Sequence, residues 1–376
     1  MASETTESVR GVWQRQFEED PLGDSENADR DTLVFWTQAP QSGIYVDIRL
    51  PKGSLGRSDT ARRNGIEKDP TALQARGMNL PNLSPEDLSI LLRQKSFAGI
   101  LQFSMGDNTN SKQAVAKDQI LADLAKAATT NPSAMPLCTC FWKRHIDYQP
   151  PSGRLDIAVC ASAPPNADGS ADLRETGDDA SYAEGWHRLS GSAQGPYWAF
   201  QLLTEDGLPR SGYWARTGKY FAYAIGRPQD TVTAKQLGCT ATSARVQGCV
   251  GKSLDVAVQG LLGDDSDNAP STESILPLIG TYVCVFGEVV APSGATERTT
   301  RWKILHSTDP RLVGCELFGS APDSCSTINS EKDSNHPIQE GDVLCQTVVL
   351  GGCVRRWKVV EVDDASVMRN ELPGFF

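Results

Sequence analysis

Alternation with a period of two runs through most of this chain. In FWTQAPQSGIYVDIRLP (35–51), Ile44, Val46, Ile48 and Leu50 share one side of a strand, while Tyr45, Asp47 and Arg49 share the other, because successive strand side chains point to opposite faces. Similar segments recur as DTLVFWTQ, TCFWKRHIDYQ, RLDIAVCA, YAEGWHRLS, YWAFQLL, YWARTGKYFAYAIG, DVAVQG, TYVCVFGEVV, TRWKILH, DVLCQTVVL and VRRWKVVEV. They are rich in β-branched and aromatic residues and are bounded by turn signals such as EDG, PSG, ADG and GG, the pattern of a mainly β, antiparallel protein.

Helical signals are few. In NLSPEDLSILLRQKSF, Ser84 suits an N-cap, Pro85 the first helical position, and Leu88, Leu91 and Leu92 recur at helical spacing. A second helix is expected through SKQAVAKDQILADLAKAA, with Ile120, Leu121, Leu124 and Ala128 on one face. Both lie between strand segments and read as insertions or lids. The charged stretch 53–77 and the acidic stretch 263–274 read as loops, the first of them mobile for want of apolar groups. A chain of 376 residues exceeds what a single core usually supports. With a boundary placed near residue 165 in CASAPPNADGSADLRE, two units are expected, 8–165 with the inserted helices and 170–376 with Cys-containing C-terminal strands.

Charge and motifs exclude several function classes. Thirty-six Lys and Arg against 47 Asp and Glu leave a net charge of -11, the wrong sign for a phosphate backbone. The densest basic cluster, Arg57 to Arg63, has no aromatic interleaving, so no nucleic-acid partner is expected. MASETTESVRG lacks a signal-peptide pattern and no apolar run approaches a membrane span, so the chain reads as soluble and cytoplasmic, its ten cysteines reduced. Cys138 and Cys140 form C-x-C, but no C-x-x-C occurs and the four histidines are scattered, which argues against zinc. GDDSDNAPSTESI lacks the Gly and Glu of a calcium loop. No G-x-S-x-G, G-x-G-x-x-G or P-loop is present. No cofactor and no metal are expected, and no catalytic residue is assigned; His145 and Asp147, two apart, read as solvated neighbours.

What remains is a face that mixes aromatics with opposed charges. TCFWKRHIDYQ sorts into Cys140, Trp142, Arg144, Ile146 and Tyr148 on one side and Phe141, Lys143, His145, Asp147 and Gln149 on the other, while YAEGWHRL groups Tyr182, Glu184, Trp186 and Arg188. With Trp36, Tyr45, Asp47 and Arg49 these make three strands with such a face. Trp and Tyr beside Arg and Glu suit a partly buried wall that satisfies its own charges; the alternative is a barrel exterior where Arg stacks on Trp. The candidate ligand-binding set is Trp36, Tyr45, Asp47, Arg49, Trp142, Arg144, Tyr182, Glu184, Trp186 and Arg188.

GVWQRQ places Gly11-x-Trp13 where a first strand would begin, which resembles the G-x-W signature of lipocalins and other calycins. The joint pattern FWTQ...YVDIRLP, FAG, CFWKRHIDYQPPSG, LRETG, Y-x-E-x-W-x-R and GKYFAYAIGRP is similar to uncharacterised bacterial proteins with a W-Q-T...Y-x-D-I-R-x-P element. LRETG...YAEGWHR and GDVLCQ...RRWKVVEV resemble, more distantly, a yeast calycin-like protein of two successive barrels. The bacterial resemblance covers about two thirds of the chain, and it implies a tandem or enlarged calycin-like β-barrel. Three functions fit such a container. The first is binding of a small apolar or anionic ligand, its anionic group held by Arg49, Arg144 or Arg188. The second is a cofactor-independent isomerase, cyclase or hydrolase with Glu184 or Asp47 as acid or base. The third is a protein-interaction scaffold with a filled barrel.

Overall fold

A computed structural model describes residues 9–63, 84–104, 138–150, 156–162, 170–203, 209–226, 251–256, 258, 282–290, 300–317, 326–330, 338–348, 354–363 and 368. The expected helix within 111–128, the acidic stretch 263–274 and residues 64–77 of the first loop lie outside them.

Eight strands close into an antiparallel barrel: β1 (Gly11–Glu19), β2 (Leu33–Gln38), β3 (Ile44–Leu50), β4 (Lys95–Ser104), β5 (Cys138–Asp147), β6 (Asp156–Ser162), β7 (Ala171–Gly177) and β8 (Ala183–Arg188). Each pairs with the next, and β8 returns to β1, with Trp13 opposite Arg188 and Arg15 opposite Trp186. Eight more strands form a second sheet: β9 (Tyr197–Leu203), β10 (Pro209–Thr217), β11 (Tyr220–Ile225), β12 (Val283–Val290), β13 (Arg301–Ser307), β14 (Ser326–Ser330), β15 (Val343–Val348) and β16 (Val354–Val362). Its order is again a meander, and β16 pairs with β9 as β8 pairs with β1. Among the described residues no ladder joins β13 to β14.

The boundary expected near residue 165 falls between β6 and β7, inside the closed barrel, which takes β7 and β8 as well. APPNADGS has the composition of a linker and of a hairpin turn alike, and only the pairing of β6 with β7 distinguishes them. Around Asp255 and Val256 the chain is helical, so DVAVQG is no strand there; a short apolar run fits either period.

Alternation decides how the two sheets meet. Ile44, Val46, Ile48 and Leu50 face outward and share one buried cluster with Tyr213, Ala215, Ala222, Ala224 and Phe286 of the second sheet. In YWARTGKYFAYAI the small residues fall on that face and Trp214, Phe221, Tyr223 and Ile225 on the other, which forms the core of the second unit with Trp198, Trp302 and Trp357. Alanines let the sheets approach closely while Phe35 stacks on Phe286, 4.1 Å between centroids. The buried Glu361 of β16 also accepts from the backbone N–H groups of Gln41 (2.9 Å) and Ser42 (2.7 Å), tying the β2–β3 turn to the second sheet.

Two of the α-helices among the described residues bear on the barrel's surroundings. Residues 53–63, expected to be mobile, instead dock through α1 (Ser58–Arg63): Ser307 N–H donates to Gly56 O at 3.0 Å and Ser58 N–H donates to His306 Nδ1 at 3.1 Å. These backbone contacts and the burial of Leu55 and Ala61 supply the anchorage. A Cβ at Gly56 would lie 1.8 Å from Ser307 O, so only glycine permits this approach. Helix α2 (Pro85–Leu92) has the expected Ser84 N-cap, which Asp87 completes as a capping box. Its Leu88, Leu91 and Leu92 pack on the outer wall in the cluster of Ile48 and Ile146. Its last carbonyls, orphaned by helix geometry, accept from Tyr148 Oη (2.8 Å, Leu91 O) and Gln149 Nε2 (2.9 Å, Leu92 O).

Candidate functional site

The face of β3 that carries Tyr45, Asp47 and Arg49 turns into the barrel. Register places Trp13 and Asp47 on either side of Trp36, Leu101 opposite Trp142, Leu173 opposite Trp186 and Glu175 opposite Glu184. Inward side chains of a small barrel stack in layers, and here the layers differ in chemistry.

One layer is aromatic. Trp36 is fully buried, and its ring centroid lies 5.9 Å from Trp13, 4.8 Å from Trp142 and 5.7 Å from Trp186, while Tyr45 meets Trp142 at 4.9 Å. Trp13 Nε1 donates to Val9 O (2.8 Å) and Trp36 Nε1 to Gln38 Oε1 (3.2 Å). Tyr45 Oη, Trp142 Nε1 and Trp186 Nε1 are buried with no hydrogen-bond partner among the described residues.

The adjoining layer is ionic. Arg49 donates through Nε to Asp47 (2.9 Å) and through Nη1 to Glu184 (2.7 Å). Arg15 donates to Glu184 (3.0 Å), to Asp29 (2.6 Å) and to Glu18. Burial alone would raise the Glu184 pKa, but the Arg49 and Arg15 guanidiniums more than offset it and hold the carboxyl below its usual range. At Asp47 burial prevails over Arg49, and the carboxyl is pushed up to about 6. Glu175 is 4 % exposed and has no guanidinium or ammonium within ion-pairing distance among the described residues. Tyr182 Oη donates to its Oε1 at 3.3 Å, and Oε2 has no partner among those residues. Burial first, and the facing Glu184 second, raise its pKa well above the ordinary value.

A pKa raised on folding is a stability statement. Protonated Asp47 favours the fold, so its contribution is full below the unfolded value near 4 and is lost as pH rises through about 6. Relative to Asp47→Asn, the native protein loses ~2.4 kcal/mol of stability between pH 4 and pH 7 in urea unfolding. A difference that stays flat over that range would show that Asp47 titrates normally.

The other sequence candidates separate. Arg144 faces inward but does not reach Glu184: it pairs with Asp156 and, at 3.5 Å, with Asp147, and lies 3.8 Å over the Phe97 ring. Arg188 is at the far end of the barrel, 5.3 Å over Trp13. There Gly11, at φ +117°, lets Arg188 and Ser192 close on the backbone, since a Cβ would meet Ser192 Oγ at 2.9 Å and Arg188 Cδ at 3.1 Å. The Gly11-x-Trp13 spacing is thereby explained by packing. The expected sorting of β5 breaks at a bulge, where Ala98 pairs with Ile146 but Gly99 with Arg144. One extra residue reverses the faces beyond it. Trp142 and Asp147 are therefore placed on the inner face, with Arg144 on that face but more than a third exposed, and Ile146 and Tyr148 outside. His145, within the bulge, meets Tyr213 of the second sheet, and is separated from Asp147.

Arg15, Phe97, Asp156 and Glu175 were absent from the candidate set. Glu175 was legible in ADLRET, where it alternates with Ala171 and Leu173, both buried in the barrel; Arg15 follows Trp13 at the same spacing. Among the described residues no group of three His, Cys, Asp or Glu is arranged to hold a metal, and no helix is long and apolar enough to cross a membrane. No protein-family model, curated protein or solved structure matches the chain.

Proposed function

We propose that the first barrel is a calycin-like small-molecule binding module whose ligand lies between the aromatic and ionic layers. One observation carries this reading: Tyr45 Oη, Trp142 Nε1, Trp186 Nε1 and Glu175 Oε2 are all buried in one closed barrel with no protein partner among the described residues. Each such atom left unpaired costs about 1–3 kcal/mol, and buried polar groups ordinarily find a protein group, a water or a ligand. An eight-stranded barrel can hold one small ligand. The phenol and indole donors favour a ligand bearing hydrogen-bond acceptors. An anionic ligand loses its support at Arg49 and Arg144, whose guanidiniums are taken by carboxylates. The enzyme reading is weaker on the same grounds. Glu184 is held ionised by two arginines, and both oxygens of Asp47 accept from Arg49.

Thermal melts and tryptophan fluorescence with a panel of fatty acids, retinoids and tetrapyrroles test the proposal. A saturable stabilisation by at least one member, weakened in Tyr45→Phe, is the expected result. No shift with any member, nor with small aromatic amine, alcohol and carboxylate probes, transfers the function to protein interaction through a filled barrel.

A further inference from the structure

At the centre of the ionic layer, the buried Arg15 and the partly buried Arg49 supply two guanidiniums, beside three buried carboxyls, Asp47, Glu184 and Glu175. Geometry assigns both cations to the first two carboxyls. Resting on the binding reading above, we propose that Glu175 anchors the head of a cationic ligand, a primary or secondary ammonium whose organic part lies against the neighbouring aromatic rings.

The surroundings of Glu175 support this. Tyr182 reaches it from the start of β8, Glu184 faces it directly on β8, and Cys160 lies opposite on β6. Asp156 of β6 and Asp47 and Arg49 of β3 act on it from further away. Two carboxylates directly opposite each other repel, so Glu175 stays protonated while nothing positive reaches it. An arriving ammonium supplies the missing charge. The Glu175 O–H bond breaks, its proton leaves to solvent, and an N–H···O⁻ pair forms, of the short, strong, charge-assisted kind. One proton is released for each cation bound. The walls suit a cation too, because aromatic faces attract positive charge, and Arg49 already lies 5.9 Å over Trp186 and 5.1 Å over Phe97.

Calorimetry on the full chain with benzylamine, benzyl alcohol and benzoate, in buffers of different ionisation heat, tests the idea. Benzylamine is expected to bind best, to release about one proton, and to weaken about tenfold for each pH unit lowered below the Glu175 pKa. Glu175→Gln is isosteric with the neutral acid. It is expected to abolish proton release and reduce benzylamine affinity at least tenfold while leaving benzyl alcohol unaffected. If that variant does not fold, proton release and pH dependence in the native chain still decide. Benzyl alcohol binding as tightly as benzylamine, or benzylamine binding without proton release, overturns the cationic anchor and leaves the binding module standing. The same holds if only the retinoid, fatty-acid or tetrapyrrole panel binds. Silence from all probes overturns both.

Discussion

Glu184→Ala lowers the stability of the protein by ~3–5 kcal/mol in chemical denaturation. The carboxylate is 1 % exposed and accepts from two arginines, at 3.0 Å from Arg15 and 2.7 Å from Arg49. Neither arginine is stranded completely, since Arg15 keeps Glu18 and Asp29 and Arg49 keeps Asp47. Even so, both guanidiniums lose their shared buried acceptor, and buried charged N–H groups left without it cost far more than the loss of an exposed ion pair. Replacing Glu184 and Arg49 together by leucine is expected to be much less damaging than the sum of the single changes, because contacting partners are not additive. A loss below ~1 kcal/mol for Glu184→Ala would mean that water reaches this layer and that the barrel is open at the Arg49 end.

Trp36→Ala is expected to lower stability by a similar ~3–5 kcal/mol, through a different mechanism. Trp36 is fully buried, and its ring touches Trp13, Trp142 and Trp186 at centroid distances of 4.8 to 5.9 Å. Removing the indole deletes transfer energy and leaves a cavity that three tryptophans fixed on β1, β5 and β8 cannot collapse to fill. Near-ultraviolet circular dichroism, which reports ring packing, is expected to fall with it. A variant of native stability and unchanged spectrum would show that the rings are loosely held, and would remove the rigid wall on which the ligand reading depends.

Much of this arrangement was legible in the amino-acid order. Alternation alone places Tyr45, Asp47 and Arg49 on one face, and Glu184, Trp186 and Arg188 on another. All six are inside the barrel. The Ser84 cap and Pro85 locate the start of α2, because the signal is local: a side chain and a backbone N–H three residues away. Local signals failed where two structures share one composition, as at the β6–β7 turn, and where a few apolar residues fit both periods, as around Asp255.

The sequence by itself determined which side chains travel together, because a strand has only two faces and a helix repeats every 3.6 residues. Tertiary structure alone decided which face is inside. The polar-aromatic side of β3 could be enclosed because its apolar side, Ile44 to Leu50, found a second sheet of alanines and Phe286 to cover it. The bulge at Gly99 depends on the approach of β5, for a Cβ there would stand 1.9 Å from Lys143 O, and that bulge turns Asp147 inward and Ile146 outward. Partner choice was likewise beyond local reading. Arg49 and Glu184 are 135 positions apart in the chain, and only closure of β1 on β8 brings Arg15 to the same carboxylate and leaves Glu175 without a cation among the described residues. Electrostatic pairing depends on distance through space, and that distance is set by the closed ring of strands.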